Sequence, residues 1–319
     1  MLVDACRSIY TKLDHVAIDI PQLHTLASSI QAEDILLPTW TDEWCIQAPP
    51  EKTLSWIFIF NAINFSYWSE RPWATQVRGT VFGIEDPAFG VMAALAAALE
   101  HGTPLDDPTW LKQIDVDDLK SILYPAEGFG PLPMLEERVA ALHELGHLFA
   151  HYGGAIGILN ACKNSAQQLT TLLNHNTDFW KDSIHYKDTD LHFAKRAWLV
   201  SGMLYGRFLE DPSRCITDPE CIPCYSDYRL PQFLFATGVL RYHPDLQEKI
   251  KAHQTLDYGT PEEIEIRVAT QIAAYELLEA LRPQFPNVTY MHLDAYLWRN
   301  AVEQSPKIPP HHRMRGIAY

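Results

Sequence analysis

The chain has 319 residues, 47% of them hydrophobic, which is enough to bury a substantial core. Its 40 acidic and 25 basic residues leave a net charge of −15. Such a surface repels polynucleotides at long range, so duplex DNA or whole tRNA is disfavoured as a main partner, although a local cluster of Arg and Lys can still hold a small anion. No run is apolar enough to predict a membrane span, and Met1–Arg7 lacks the basic start and apolar stretch of a signal peptide. An intracellular, cytoplasmic protein is the expectation.

Taken in chain order, Trp56-Ile57-Phe58-Ile59-Phe60 is compatible with a strand and equally with a buried helix. Helical patterning follows over 88–101, 134–152, 155–175, 190–209, 229–239 and 290–303. The clearest start signal is Thr260-Pro261-Glu262-Glu263: an N-cap hydroxyl, proline at the first helical position and glutamate at the third. Proline-rich breaks at 104–108, 131–133 and 306–310 read as turns, not as domain linkers. The expected architecture is mainly α, one compact helical domain over 1–319, with room for a few short strands in the first third.

Six cysteines include the cluster Cys215, Cys221 and Cys224. A structural zinc site normally takes four ligands from two close pairs, and only Cys221/Cys224 forms such a pair, so reduced thiols are expected. The segment His143-Glu144-Leu145-Gly146-His147 fits H-E-x-x-H, which on a helix places two imidazoles one turn apart with Glu144 as general base. Its phase argues against it. Leu135, Val139, Leu142, Leu145 and Phe149 fall in an arc of roughly 120°, with both histidines to one side. Ala150 and Gly153 stand where the extended pattern needs Gly and a third His. A zinc-dependent hydrolase is therefore the second reading, with no metal expected under the first.

Tyr225-Ser226-Asp227-Tyr228-Arg229-Leu230-Pro231-Gln232 sets one carboxylate between two aromatic rings and beside a guanidinium, where a loop becomes a helix. A carboxylate in such surroundings can stabilise cationic charge growing on a sugar attached to a flat heterocycle. By position alone Asp227 is equally an N-cap, and Tyr225 equally a core tyrosine.

Together with Asn61–Glu70, Lys195-Arg196-Ala197, Glu262–Arg267, Leu293-Asp294-Ala295-Tyr296-Leu297-Trp298 and His312–Tyr319, this octet resembles the queuosine 5′-phosphate N-glycosylase/hydrolases of queuosine salvage. The likeness runs from about residue 50 onward, and the first 50 residues match poorly. Ala295 and Arg299 depart from the family pattern, as do the H-E-x-x-H and the Cys221/Cys224 pair. The resemblance implies a helical fold similar to helix-hairpin-helix DNA glycosylases, with hydrolysis of queuosine 5′-monophosphate to release queuine and without metal or organic cofactor. It implies Asp227 and Lys195 as catalytic residues, and Tyr225, Asp294, Tyr296, Trp298, Arg229, Arg196 and Asn64 as substrate-binding residues. A non-catalytic helical binder of nucleotide or base is the third reading.

Overall fold

A computed structural model describes residues 2–305 and 307–319. Met1 of the opening heptapeptide and Pro306 of the third proline-rich break lie outside the described residues. The protein is mainly α, and the strands among the described residues pair only in twos. Among the described residues, no helix is long and apolar enough to cross a membrane. The chain packs as two units, each assembled from separate segments.

One unit takes the described residues of 1–38, 182–195 and 220–316. Its axis is the helix Pro261–Leu281, which is buried on nearly every side. Ile266, Ala269, Ala273 and Leu277 join a core with Leu23, Leu230, Phe233, Leu293 and Leu297. Ile264, Val268 and Ile272 face a second core with Cys6, Ile9, Leu191 and Phe193. A helix apolar on two sides has to be covered on both, which makes it central. Its start departs from the expected capping box: Glu263 accepts from the Gly259 N–H (3.1 Å), while the Thr260 hydroxyl turns back to the Asp257 carbonyl (2.9 Å).

The same helix anchors the N-terminal segment. The fully buried Glu265 carboxylate accepts from the N–H groups of Asp14 (2.8 Å) and His15 (2.6 Å), the Tyr186 hydroxyl (2.6 Å) and Lys187 Nζ (3.3 Å). Burial opposes this charge, but the Tyr186, His15, Asp14 and Lys187 donors outweigh it and lower the carboxyl below its ordinary range. Val16–Ile18 then pairs antiparallel with Leu240–Tyr242, and Arg299 donates to the Asp34 carbonyl (3.0 Å).

The other unit takes 39–181, 196–219 and 317–319. Here Trp56–Phe60 belongs to the helix Pro50–Ala62, every residue of which from Thr53 onward is buried. It packs against the helices Pro87–Glu100 and Leu135–Tyr152, and the Trp56 indole donates to the Met92 carbonyl (3.1 Å).

Two expected helices change. The one over 155–175 is two, Ala155–Ala161 and Ala166–Asn176, broken where Lys163 and Asn164 take positive φ (53° and 56°). The one over 190–209 begins only at Lys195. Thr189–His192 is instead the second strand of a hairpin with Ser183–Tyr186, and Ala194 has φ of 46°.

Candidate active site

In the first unit, Asp227 lies at the mouth of the helix Arg229–Ala236 and is only 7% exposed. Its Oδ1 accepts from the N–H groups of Arg229 (2.8 Å) and Leu230 (3.3 Å), so the carboxylate does cap the helix. Its Oδ2 lies 3.9 Å from Lys195 Nζ, and the lysine is equally buried. The cap reading and the ion-pair reading therefore describe two oxygens of one group.

A second buried carboxyl stands beside it. Asp294, on the helix Tyr290–Gln304, accepts the Tyr225 N–H at Oδ1 (2.7 Å). Burial, with the charge of Asp227 adding to it, raises Asp294 well above the usual carboxylate range, against the pull of the Tyr225 N–H and Lys195. One carboxyl is thus biased toward its protonated form beside one that pairs with an ammonium, the kind of separation that distinguishes acid from base in many active sites.

The loop between these groups is tied down by the Pro261–Leu281 helix. Gln271 Nε2 donates to the Cys224 carbonyl (2.6 Å) and the Ser226 hydroxyl (2.7 Å), and Arg267 Nε donates to the Ser226 carbonyl (3.2 Å). Arg267 also forks onto Asp182 at 2.8 and 2.6 Å, and Asp182 Oδ2 accepts the Lys195 N–H (3.1 Å). Asp182, Arg267 and Gln271 were not among the expected site residues. Only the family-like run Glu262–Arg267 pointed to the arginine.

Arg229 is buried and donates to Gln232 Oε1 (3.2 Å) and the Ser305 hydroxyl (3.1 Å). The Tyr228 ring stacks on His311, with centroids 4.4 Å apart. Burial pushes both His311 and His312 down to about 3, so each imidazole is neutral at ordinary pH. Trp298 follows Asp294 by one helical turn and is half-buried. Tyr296 points the other way, into the core, with its ring edge-on to Phe233 (6.0 Å).

Asn64 and Arg196 belong to the second unit. Arg196 donates to the carbonyls of Asn61 (3.1 Å) and Ala62 (2.6 Å), and its guanidinium lies over Phe65 and Trp180. Arg138, fully buried, donates to the carbonyls of Ile63 and Phe65. Two guanidiniums therefore fix the segment that carries the buried Asn64.

The H-E-x-x-H residues are engaged elsewhere in this unit. Glu144 accepts the N–H groups of Asp178 (2.7 Å) and Phe179 (3.0 Å), and His143 Nε2 meets the Ile114 carbonyl at 2.7 Å. His147 is exposed. All six cysteines are thiols, and among the described residues no three His, Cys, Asp or Glu side chains group as metal ligands.

Fold and site define a mainly helical protein with a buried, enzyme-like polar centre of two carboxyls, one lysine and a tyrosine. The chain belongs to the family described as queuosine salvage protein, whose family model matches residues 45–319. It is 30% identical to the queuosine 5′-phosphate N-glycosylase/hydrolase of Sphaerobacter thermophilus over 315 residues, 98% of this chain and 96% of that one. Proteins of the same name from Nematostella vectensis (27% identical, 91% of this chain and 89% of that one) and Mus musculus (28%, 84% and 82%) are also similar. The Sphaerobacter match includes most of the first 50 residues, where the sequence alone showed little resemblance.

Proposed function

We propose that the protein hydrolyses the N-glycosidic bond of queuosine 5′-monophosphate, releasing queuine and ribose 5-phosphate for queuine salvage. The observation that carries this reading is the buried Lys195–Asp227 pair beside the buried Asp294 carboxyl, in a chain matched along nearly its whole length by proteins named for that activity.

Breaking the bond leaves positive charge on the ribose ring, which is neutral in the ground state. A fixed carboxylate near C1′ favours the transition state over the substrate. Asp227 takes that role: its Oδ1 is held by two backbone N–H groups, and its Oδ2 faces Lys195. Tyr225 stacks on the base, and Asp294, one helical turn from Trp298, offers it a carboxyl that burial biases toward the protonated, donating form. Water supplies hydroxide to C1′, and the departing base takes up the remaining proton.

Arg229 and Tyr296, on the Arg229–Ala236 and Tyr290–Gln304 helices, support this wall, while Arg196 holds the segment of Asn64. The substrate is a mononucleotide, and the charge of −15 disfavours a polynucleotide in its place. A reducing intracellular compartment fits six cysteines that are all thiols.

Chromatography of the products tests the reading. Equal amounts of queuine and ribose 5-phosphate, formed with chelator present, are expected. Recovery of intact nucleotide from protein that binds it would leave a non-catalytic binder instead.

A further inference from the structure

Lys195 is the first residue of its helix, and Asp182 clasps the start of that helix. Asp182 accepts the Lys195 N–H on its carboxylate (3.1 Å) and the Ala194 N–H on its backbone carbonyl (3.2 Å). Ala194 is in the left-handed region (φ 46°), so the chain turns sharply into the helix just at this clasp.

Arg267 holds the other face of Asp182 in a bidentate pair, with both side chains almost wholly buried. Its Nε reaches the Ser226 carbonyl, one residue before Asp227. The guanidinium lies over the Phe193 ring at 3.9 Å, Glu263 Oε1 stands 3.5 Å from its Nη1, and the Tyr258 hydroxyl donates to Asp182 Oδ1 (3.3 Å). A buried ion pair is weak evidence for stability, because the desolvation of both charges offsets their attraction. Its value here is geometric. One rigid fork is bonded to the carboxylate that starts the Lys195 helix and to the peptide that carries Asp227.

We infer that Asp182, gripped by Arg267, is a positioning residue that sets Lys195 Nζ against Asp227. The inference rests on the glycosidase reading of that pair. Loss of the clasp frees Lys195 to shift relative to the reacting sugar, while the base-binding residues Tyr225 and Asp294 keep their own bond. The damage should fall on kcat and spare KM, by about 10- to 100-fold, the range for an outer partner that orients a reacting group.

The test is a kinetic cycle with queuosine 5′-monophosphate, normalised to protein that binds queuine. Asp182→Asn is expected to lower kcat by that factor with KM within about threefold, and to add less than about threefold in a Lys195→Ala background. Equal factors in both backgrounds would overturn the inference, since a purely structural defect multiplies independently. Tyr258→Phe, which removes one hydrogen bond without stranding a buried charge, should lower kcat a few-fold in the same non-additive way if Asp182→Asn fails to fold. A crystal structure of whichever variant folds gives a readout independent of turnover. The Lys195–Asp227 distance should depart from 3.9 Å, and an unchanged distance would overturn the inference. Wild-type protein that releases no queuine would instead sink the glycosidase reading, leaving the crystal structure to decide the positioning claim.

Discussion

Asp294 holds the backbone N–H of Tyr225 at 2.7 Å, so one buried carboxyl fixes the segment that carries the aromatic ring two residues before Asp227. The proposed base wall and the proposed sugar-facing carboxylate thus share one loop, which this bond helps tie to the Tyr290–Gln304 helix.

Burial and the charge of Asp227 raise Asp294 well above the usual carboxylate range, so it keeps its proton to higher pH than an exposed carboxyl does. Queuine affinity should hold as pH falls through the ordinary carboxylate range and weaken as pH rises through the shifted value. Titrating queuine from about pH 5 to about pH 9 checks this. Asp294→Asn, which cannot ionise, should give a flat profile, and a wild-type profile as flat as the variant's would count against a neutral Asp294.

Tyr225→Ala is expected to weaken queuine binding by about 1–3 kcal/mol, the scale of one lost base–aromatic contact. Calorimetry on free queuine isolates this from catalysis. Unchanged affinity would move the stacking role to another ring.

Glu144 serves its own unit, receiving the N–H groups of Asp178 and Phe179. Glu144→Gln should cost about 1 kcal/mol of stability through weaker hydrogen bonds to the 178–179 bend and leave kcat within about twofold. Steady-state turnover with chelator present decides it. A loss of a hundredfold or more would return the H-E-x-x-H segment to the reaction.

Acid should unfold the protein from two sources. Glu265 is lowered, so its contribution is full above the unfolded carboxyl value and disappears as pH falls through the folded one. His311 and His312, pushed from 6.5 to about 3 by burial, disfavour protons that the unfolded chain accepts, so stability declines as soon as pH drops below about 6.5. Urea midpoints measured against pH should show this early slope. His312→Asn should reduce it by about half, and an unchanged slope would contradict the assignment.

The sequence was most legible where a periodic apolar face coincided with a stop or start residue. Pro87–Glu100 and Leu135–Tyr152 lie within a residue or so of expectation, the latter ending at Gly153 with φ of 80°. Reading failed where non-glycine residues took positive φ, as at Lys163, Asn164 and Ala194, because nothing in their side chains announces it. Trp56–Phe60 stayed open because a helix buried all round carries no periodic signature.

The site divides in the same way. Asp227, Asp294 and Tyr225 stood out as short family-like motifs, and the structure brings them together with Lys195. Asp182 and Arg138 did not, since charged residues are usually exposed and their burial follows from partners distant in the chain. Asn64 and Arg196 are held within the other unit by bonds to that unit's own carbonyls and rings.

The most direct test is the single-turnover rate of Asp227→Asn on queuosine 5′-monophosphate, with queuine affinity measured on the same preparation. The account predicts a rate at least about a hundredfold below wild type, the cost of one lost transition-state partner, with queuine affinity within about threefold. A variant that binds queuine and releases it from the nucleotide at near the wild-type rate would contradict the account.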